Sequence, residues 1–218
     1  MSSPLLHIEH LSAGYEQDKP ILNDFNLQLH AGDSVGIVGQ NGCGKSTLAK
    51  AILSMTPYVS GSIIWEGRDI TNVTTHPKRH LGIGYLMQGG QVFGNLSVED
   101  NIKFALLEQS NANISSVIKQ WQDEDITIFK DQNRLKMKAS YLSGGERHIL
   151  AWIMVIVANP NMMLLIADEP SAGVAAGVQV QILNIMKKYI QEKQLSLLLI
   201  EHNALFLDNL VLNKIQLK

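Results

Sequence analysis

The chain has 218 residues, 45% of them hydrophobic, enough to bury a core in one domain without disulfide or metal staples. Its 18 basic and 20 acidic side chains leave a net charge of −2, so no basic field marks a nucleic-acid partner. A single cysteine, Cys43, excludes an internal disulfide and fits a reducing compartment.

In chain order, residues 5–10 read as a first strand, and Tyr15 follows in Ser12-Ala13-Gly14-Tyr15. Residues 24–29 alternate polar and apolar side chains, as a half-buried strand does. Ala31-Gly32-Asp33 turns the chain into a short apolar strand, 34–38. Next comes Gly39-Gln40-Asn41-Gly42-Cys43-Gly44-Lys45-Ser46-Thr47, which fits the phosphate-loop pattern G-x-x-x-x-G-K-[ST]. Its glycines let the backbone fold into a nest of inward N–H groups, and a helix beginning near Gly44 adds its positive end. Lys45 is suited to the β- and γ-phosphates of a nucleotide, and the Ser46 hydroxyl to Mg²⁺. Residues 46–53 are good helix formers, so the motif has the strand–loop–helix setting it needs.

Pro57 and Gly61 bracket an expected break, after which residues 62–65 read as a strand with a tight turn at Glu66-Gly67. The opening third is thus strand-rich and antiparallel at its edge. Residues 81–87 form another expected strand, ending at Gln88-Gly89-Gly90-Gln91. Ser97, with Asp100 three residues on, has the form of a capping box and opens a helix to about residue 108. Residues 114–136 are polar and mixed and yield no assignment. Leu142-Ser143-Gly144-Gly145-Glu146 leads into an apolar helix over about 147–158, stopped by Pro160. Residues 162–167 read as a buried strand ending in Asp168-Glu169-Pro170. A helix over about 177–192 precedes a second buried strand, 196–200, which ends in Glu201-His202.

Buried strands alternating with helices imply a parallel sheet covered on both faces, whose ligands bind beyond the carboxyl ends of the strands. Gly39, Gln88, Asp168, Glu169 and His202 each follow a predicted strand, so they converge on one edge. Asp168 reads as a Mg²⁺ ligand acting through water, and Glu169, sent to the other side of the strand, as the group that activates water. His202 reads as a contact to the γ-phosphate or an orienter of Glu169, and Gln88 as an amide that ligates Mg²⁺ and positions water. Tyr15 offers a ring that can stack on adenine. The remaining histidines, His7, His10, His30, His76, His80 and His148, are read as showing no metal-ligand spacing. Ser143 with Gly144 and Gly145 opening a helix makes a second anion site. One chain does not need two γ-phosphate sites for one nucleotide, so the second is read as serving the ATP of another subunit.

The opening segment, 1–7, lacks a basic n-region and a long apolar stretch, which argues against a signal peptide. Residues 149–167 are the most apolar, but Asn159-Pro160-Asn161 divides them into pieces too short to span a bilayer. Any membrane role is therefore expected to run through a partner.

Together these residues resemble the ATP-binding cassette family, the motor subunits of ABC transporters, from Tyr15 to His202. In family terms Gly39 to Thr47 is the Walker A motif, Gln88 the Q-loop glutamine, and Leu142 to Glu146 the signature, with Ser143, Gly144, Gly145 and Glu146 meeting ATP in trans. Residues 166–169 match Walker B with its catalytic Glu169, His202 the switch histidine, and Tyr15 the adenine-stacking aromatic. The resemblance implies one α/β domain over residues 1–218: a P-loop NTPase parallel sheet core, an antiparallel β subdomain, and an inserted helical subdomain over about 90–158. It implies ATP and Mg²⁺ as cofactors and ATP hydrolysis that powers solute transport. It also implies a head-to-tail dimer, with itself or a second cassette, and separate transmembrane permease subunits. The expected location is cytoplasmic, peripheral on the inner face of the cell membrane, with membrane contact only through partners and no nucleic acid bound.

Two other readings compete. A soluble cassette acting on ribosomes or DNA is disfavoured by the near-neutral charge, and a slow nucleotide-gated binding module by intact Glu169 and His202. Ser12-Ala13-Gly14-Tyr15, Leu81-Gly82-Ile83-Gly84-Tyr85, Asp168-Glu169-Pro170-Ser171-Ala172-Gly173 and Ile200-Glu201-His202-Asn203 look like the ATPases of branched-chain amino-acid and urea importers. Import of amino acids, urea or a similar small solute is the finer expectation. The chain departs from the common pattern at Ala175, where most members carry aspartate, and at Glu146, where glutamine is commoner. It departs again at Trp152-Ile153-Met154, where many relatives carry Ala-Arg-Ala, which implies a different packing partner. The short stretch after His202 is read as leaving no regulatory C-terminal domain.

Overall fold

A computed structural model describes residues 3–109, 112–123 and 126–217. The strands are β1 (Leu6–Gly14), β2 (Leu22–Leu29), β3 (Ser34–Val38), β4 (Tyr58–Trp65), β5 (Arg68–Asp69), β6 (Ile83–Leu86), β7 (Leu164–Asp168), β8 (Ser196–Ile200) and β9 (Asn213–Gln216). The α-helices are α1 (Lys45–Ile52), α2 (Thr75–His80), α3 (Val98–Ala105), α4 (Ile114–Asp123), α5 (Gln132–Lys136), α6 (Gly144–Ala158), α7 (Ala176–Lys193) and α8 (Ala204–Leu210).

The sequences of β7 and β8 are apolar at nearly every position and wholly buried, which only a sheet covered on both faces allows. They lie in a parallel sheet of order β6-β7-β8-β3-β9. A second, antiparallel sheet has the order β2-β1-β4-β5. Alternation along the parallel strands separates two cores. Leu164, Ile166, Leu198 and Ile200 join Leu48 and Ile52 of α1 and Ile8 and Trp65 of the antiparallel sheet. Leu165, Ala167, Leu197 and Leu199 join Trp152, Leu183 and Phe206 from the helices on the other face. By the same alternation Asp168 belongs to the side that holds α1.

Strands β3 and β8 have the bounds expected from sequence, and the antiparallel edge is present. The break expected between Pro57 and Gly61 is not there: β4 begins at Tyr58 and runs through Gly61. Gly61 has φ 89°, and a Cβ on it would lie 2.4 Å from the His10 carbonyl oxygen. The β1–β4 register shifts between Glu9 and Ser12 at this point, so the glycine marks a bulge in continuous pairing.

Residues 114–136, unassigned from sequence, hold α4, a 3-10 turn at Thr127–Phe129 and α5. Their apolar side chains are sparse, yet Trp121, Ile128 and Phe129 all enter the core. The Asp131 side chain accepts from Asn133 N–H and Arg134 N–H and starts α5. Trp152, the departure within α6, is wholly buried and meets Tyr189 of α7 edge-on at 6.0 Å, while Tyr189 stacks on Trp121 at 6.3 Å. The three rings join α4, α6 and α7 through dispersion and ring geometry instead of charge.

Candidate functional site

The carboxyl ends of β3, β6, β7 and β8 lie along one edge of the parallel sheet, as the register Val38, Leu86, Asp168 and Ile200 requires. Beyond that edge opens a cleft of about 670 Å³ whose lining includes Asn41, Gly42, Gly44, Lys45, Ser46, Thr47, Gln88, Glu169 and His202. Ile21, at the end of the loop that precedes β2, lines the cleft too.

The loop between β3 and α1 is shaped by close contacts. A Cβ on Gly39 would stand 2.7 Å from both Cys43 Sγ and the Leu217 carbonyl oxygen. Cys43 is half-buried within the turn, its N–H donating to the Gln40 carbonyl at 3.3 Å. Gly44, at φ 99°, starts α1 with no side-chain cap, which leaves the first-turn amides turned to the cleft. The buried Lys45 ammonium donates to the carbonyls of Gly39 at 2.9 Å and Gln40 at 2.8 Å.

Asp168 is only 2% exposed. It accepts from the Ser46 hydroxyl at 3.1 Å and from the Tyr85 hydroxyl at 3.2 Å. Burial raises its pKa above the ordinary carboxylate range, against the opposing pull of Ser46, Tyr85, Lys50 and Lys45. Burial, and next the Asp168 charge, likewise push the Tyr85 phenol up, so it remains a donor. Such a carboxylate, buried behind the cleft-lining Ser46, is suited to a cation.

Simple alternation sends Glu169 to the opposite face from Asp168. The backbone overrides this: Glu169 has φ 48°, a left-handed conformation that costs a non-glycine residue ~1–3 kcal/mol. Its N–H still extends the sheet, donating to the Ile200 carbonyl at 2.8 Å. The turn directs its carboxylate into the cleft, where Gln88 Nε2 donates to Oε2 at 2.6 Å and His202 Nε2 stands 3.7 Å from Oε1.

Glu201, passed over in the sequence, holds this arrangement. It is buried and accepts from Ser171 N–H at 3.1 Å, His202 N–H at 2.8 Å and Asn203 N–H at 3.0 Å. One carboxylate thereby fastens the turn after Glu169 to the turn that carries His202. The signal was present as a carboxylate directly after a fully apolar strand. Tyr85 carried no such signal: only the pairing of β6 with β7, which sets it opposite Ile166, brings it beside Asp168.

Ser143 to Glu146 do not line this cleft. They open α6 with a reciprocal capping box: Glu146 N–H donates to Ser143 Oγ at 3.3 Å, and Ser143 N–H donates to Glu146 Oε2 at 2.9 Å. Burial tends to raise the Glu146 pKa, but the Ser143 hydrogen bonds and the Arg134 guanidinium outweigh it and hold the carboxyl below its usual range. The glutamate at this position therefore keeps the cap and adds an ion pair with Arg134. The exposed Ser143 hydroxyl retains its own proton, and the amides of Gly144, half-buried, and Gly145, buried against Val178, have no acceptor within the helix. Tyr15, 52% exposed, meets Lys50, whose ammonium donates to its hydroxyl at 3.2 Å; it does not line the cleft.

A second, apolar groove of about 470 Å³ separates the sheet from the helices, with Met55, Tyr85, Met87, Phe104, Met154 and Val155 in its walls. Among the described residues no helix is long and apolar enough to cross a membrane.

The sequence matches the ABC transporter family over residues 22–172. It is 34% identical over 201 residues to a probable branched-chain amino acid transport ATP-binding protein LivF of Archaeoglobus fulgidus, covering 92% of this chain and 82% of that one. It is 30% identical over 206 residues to the lipopolysaccharide export system ATP-binding protein LptB of Escherichia coli K12, covering 91% of this chain and 80% of that one. In fold it is similar to a dimeric ATP-binding cassette in a post-hydrolysis state bound to ADP and Pi, with TM-score 0.79, 18% identity and coverage of 98% of this chain and 94% of that one. A nucleotide-free ATP-binding cassette from an ABC transporter gives TM-score 0.76 at 24% identity, covering 95% and 85%. This chain therefore belongs to the ABC transporter family, as one of its ATP-binding, ATP-hydrolysing subunits.

Proposed function

We propose that the chain hydrolyses ATP in the cleft at the end of the parallel sheet, to drive solute movement through separate transmembrane permease subunits. The carrying observation is the Gln88–Glu169–His202 contact set standing beside Lys45 and the Ser46–Asp168 pair. Lys45 and the α1 amides take the β- and γ-phosphates, and Tyr15 stacks on adenine. Ser46 and Asp168 fit Mg²⁺, Asp168 through water, because the carboxylate is buried with hydroxyl donors on both oxygens. Mg²⁺ bound there supplies positive charge against the phosphates. Gln88 has an amide with two ends: Nε2 serves Glu169, and Oε1 remains to ligate the cation and position water. Glu169 takes the proton of the attacking water, and His202 orients Glu169 and meets the γ-phosphate.

The Ser143 hydroxyl and the first-turn amides of Gly144 and Gly145 complete the site of a second cassette, like or related, in a head-to-tail dimer. The post-hydrolysis relative, described as dimeric, supports that assembly. The apolar groove receives a short helix from a permease subunit, which holds the chain against the cytoplasmic face of the membrane without inserting it. Uptake of amino acids, urea or a similar small solute is the reading supported by the LivF-like relative. The LptB relative, described as an export subunit, favours an outward direction with nearly the same coverage. Transport of labelled amino acids into vesicles that carry the chain with its permease subunits decides between them.

Gly144→Asp tests the shared site. A Cβ at Gly144 meets only the Gly173 carbonyl oxygen, at 3.9 Å, so the variant adds charge without a steric clash. ATP affinity of the monomer should stay within ~2-fold, while dimer-dependent hydrolysis falls by at least the ~10²-fold expected of a lost oxyanion-type contact. Loss of monomer affinity with retained turnover would refute the shared site.

A further inference from the structure

His76 and His80 were read from sequence as carrying no metal-ligand spacing, and the fold corrects that reading. They are four residues apart on α2, so their rings rise from one helix face. Both turn to Glu108, which follows α3: His76 Nε2 lies 3.2 Å from Oε1 and His80 Nε2 lies 3.9 Å from Oε2. The two rings meet edge-on at 5.0 Å. One ligand atom from each of the three residues lies within 4.8 Å of the others.

We infer that His76, His80 and Glu108 form a binding site for a divalent transition-metal ion that ties α2 to the end of α3 across the mouth of the apolar groove. Two imidazoles and one carboxylate are a zinc-type donor set with a fourth position open. Imidazole nitrogen selects the zinc, nickel and copper class over magnesium or calcium. Tetrahedral bonds of ~2.0–2.1 Å need donors ~3.4 Å apart, and these exposed side chains close that gap by small rotamer changes. An exposed His–Glu ion pair is worth only ~0–1 kcal/mol, which alone gives no reason for two imidazoles in edge contact to address one carboxylate.

The position gives the site its consequence. Helix α2 is fastened to the C-terminal end of α1, because Thr75 Oγ1 donates to the carbonyl of Leu53, its C-cap, and Lys78 Nζ to the Ile52 carbonyl, each at 2.8 Å. Glu108 belongs to the helical side. Thr75 lines one wall of the groove, and Phe104 and Ala105 line the other. An ion held by all three ligands fixes the spacing of the two walls, and so the access of whatever inserts between them.

The test titrates the intact, untagged chain with Co²⁺, reading its visible ligand-field bands, and with Zn²⁺, reading displacement of Co²⁺ and the melting temperature. One Co²⁺ should bind with a tetrahedral-type spectrum, and Zn²⁺ should displace it and raise the melting temperature. His76→Ala, His80→Ala and Glu108→Gln should each weaken binding by ~100-fold or more, since loss even of an outer-shell partner costs 10–100-fold. Each variant should also lose the zinc-dependent rise in melting temperature while melting normally without metal, the three side chains being exposed. Asp168→Asn should leave the bands unchanged, which separates this site from the nucleotide cleft. Absence of bands in the wild type, or their persistence in the double histidine variant, would overturn the site. Unchanged affinity in Glu108→Gln would overturn the bridge.

Discussion

Glu169→Gln separates folding from chemistry at this site. The glutamine keeps the shape of the side chain and leaves the left-handed backbone at φ 48° as strained as before. Its effect on folding therefore comes from the contacts. The bond from Gln88 at 2.6 Å changes from a charge-assisted one, worth ~1.5–3 kcal/mol, to a neutral one, worth ~0.5–1.5 kcal/mol. The His202 contact at 3.7 Å, with His202 44% exposed, adds little to stability. A destabilisation of ~1 kcal/mol follows, equivalent to ~2–4 °C in melting temperature for a chain of this size. Hydrolysis loses its general base, typically ~10²–10⁴-fold in rate, or ~3–5 kcal/mol at the transition state. ATP binding should be spared, because Lys45, Ser46 and Asp168 are untouched. Phosphate release by the assembled transporter, nucleotide affinity and the melting curve give three independent readings. Size exclusion in ATP adds a fourth: Glu169→Gln should run as a stable dimer that Ser143→Arg disperses. Hydrolysis by the assembled Glu169→Gln transporter within ~10-fold of wild type, with ATP affinity intact, would refute the assignment of Glu169 and the mechanism built on it.

Cys43 Sγ lies against Gly39 inside the phosphate loop, so maleimide labelling should block ATP binding, and prior MgATP should slow it at least ~10-fold; equal rates would place nucleotide elsewhere. Ala175 is the N-cap of α7 and makes no side-chain cap bond, so Ala175→Asp should stabilise the chain by ~0.5–2 kcal/mol in urea unfolding, with no gain if the helix start rearranges. Burial lowers the Lys78 ammonium to about 8, against the opposing pull of Asp69. Between that value and the ordinary 10.5 the unfolded chain binds the extra proton, so stability rises with pH across the window and is lost as pH falls through about 8. The full swing is ~3 kcal/mol, and Lys78→Met should flatten it in denaturant titrations from pH 7 to 10.5; an unchanged slope would assign it to other groups.

The parallel core was legible because β7 and β8 are apolar on both faces, a pattern with few other structural solutions. The site followed from the same fact. Once the strands are parallel, every residue just past a strand must meet at one edge, so Gln88, Asp168, Glu169 and His202 were found together without any knowledge of their contacts. Local chemistry also sufficed for the cap at Ser97, whose hydroxyl accepts from Asp100 N–H; the reciprocal Ser143–Glu146 box, which starts α6 at Gly144, was legible by the same rule but was read only as an anion site. The region 114–136 was opaque for the opposite reason. Ile114, Val117, Ile118 and Trp121 do carry the helical period of α4, but the order of the rest depends on Ile128 and Phe129 reaching a core built by distant residues, which no local pattern announces.

Strain and pairing across elements mark the rest of what the sequence hid. Alternation predicted the wrong side for Glu169, because an extended residue was assumed where the chain adopts φ 48°. That conformation is unfavourable for a glutamate, and packing alone does not call for it. It persists because Glu201 locks the adjoining turns through three backbone amides, and because the carboxylate gains Gln88 and His202 in return. His10, Asp24, Ser54, Glu66 and Gln194 share a positive φ, so it is the strain together with the Gln88 and His202 contacts that marks Glu169. Glu201→Gln should test this chain of support: it removes the charge that holds both turns while touching neither phosphate loop nor Glu169. Turnover of the assembled transporter should fall ~10-fold or more with ATP affinity nearly constant, the signature of a misdirected base and not of a lost binding group. A fall in affinity with unchanged turnover would show that Glu201 supports the nucleotide pocket instead, and that Glu169 is held by its own contacts.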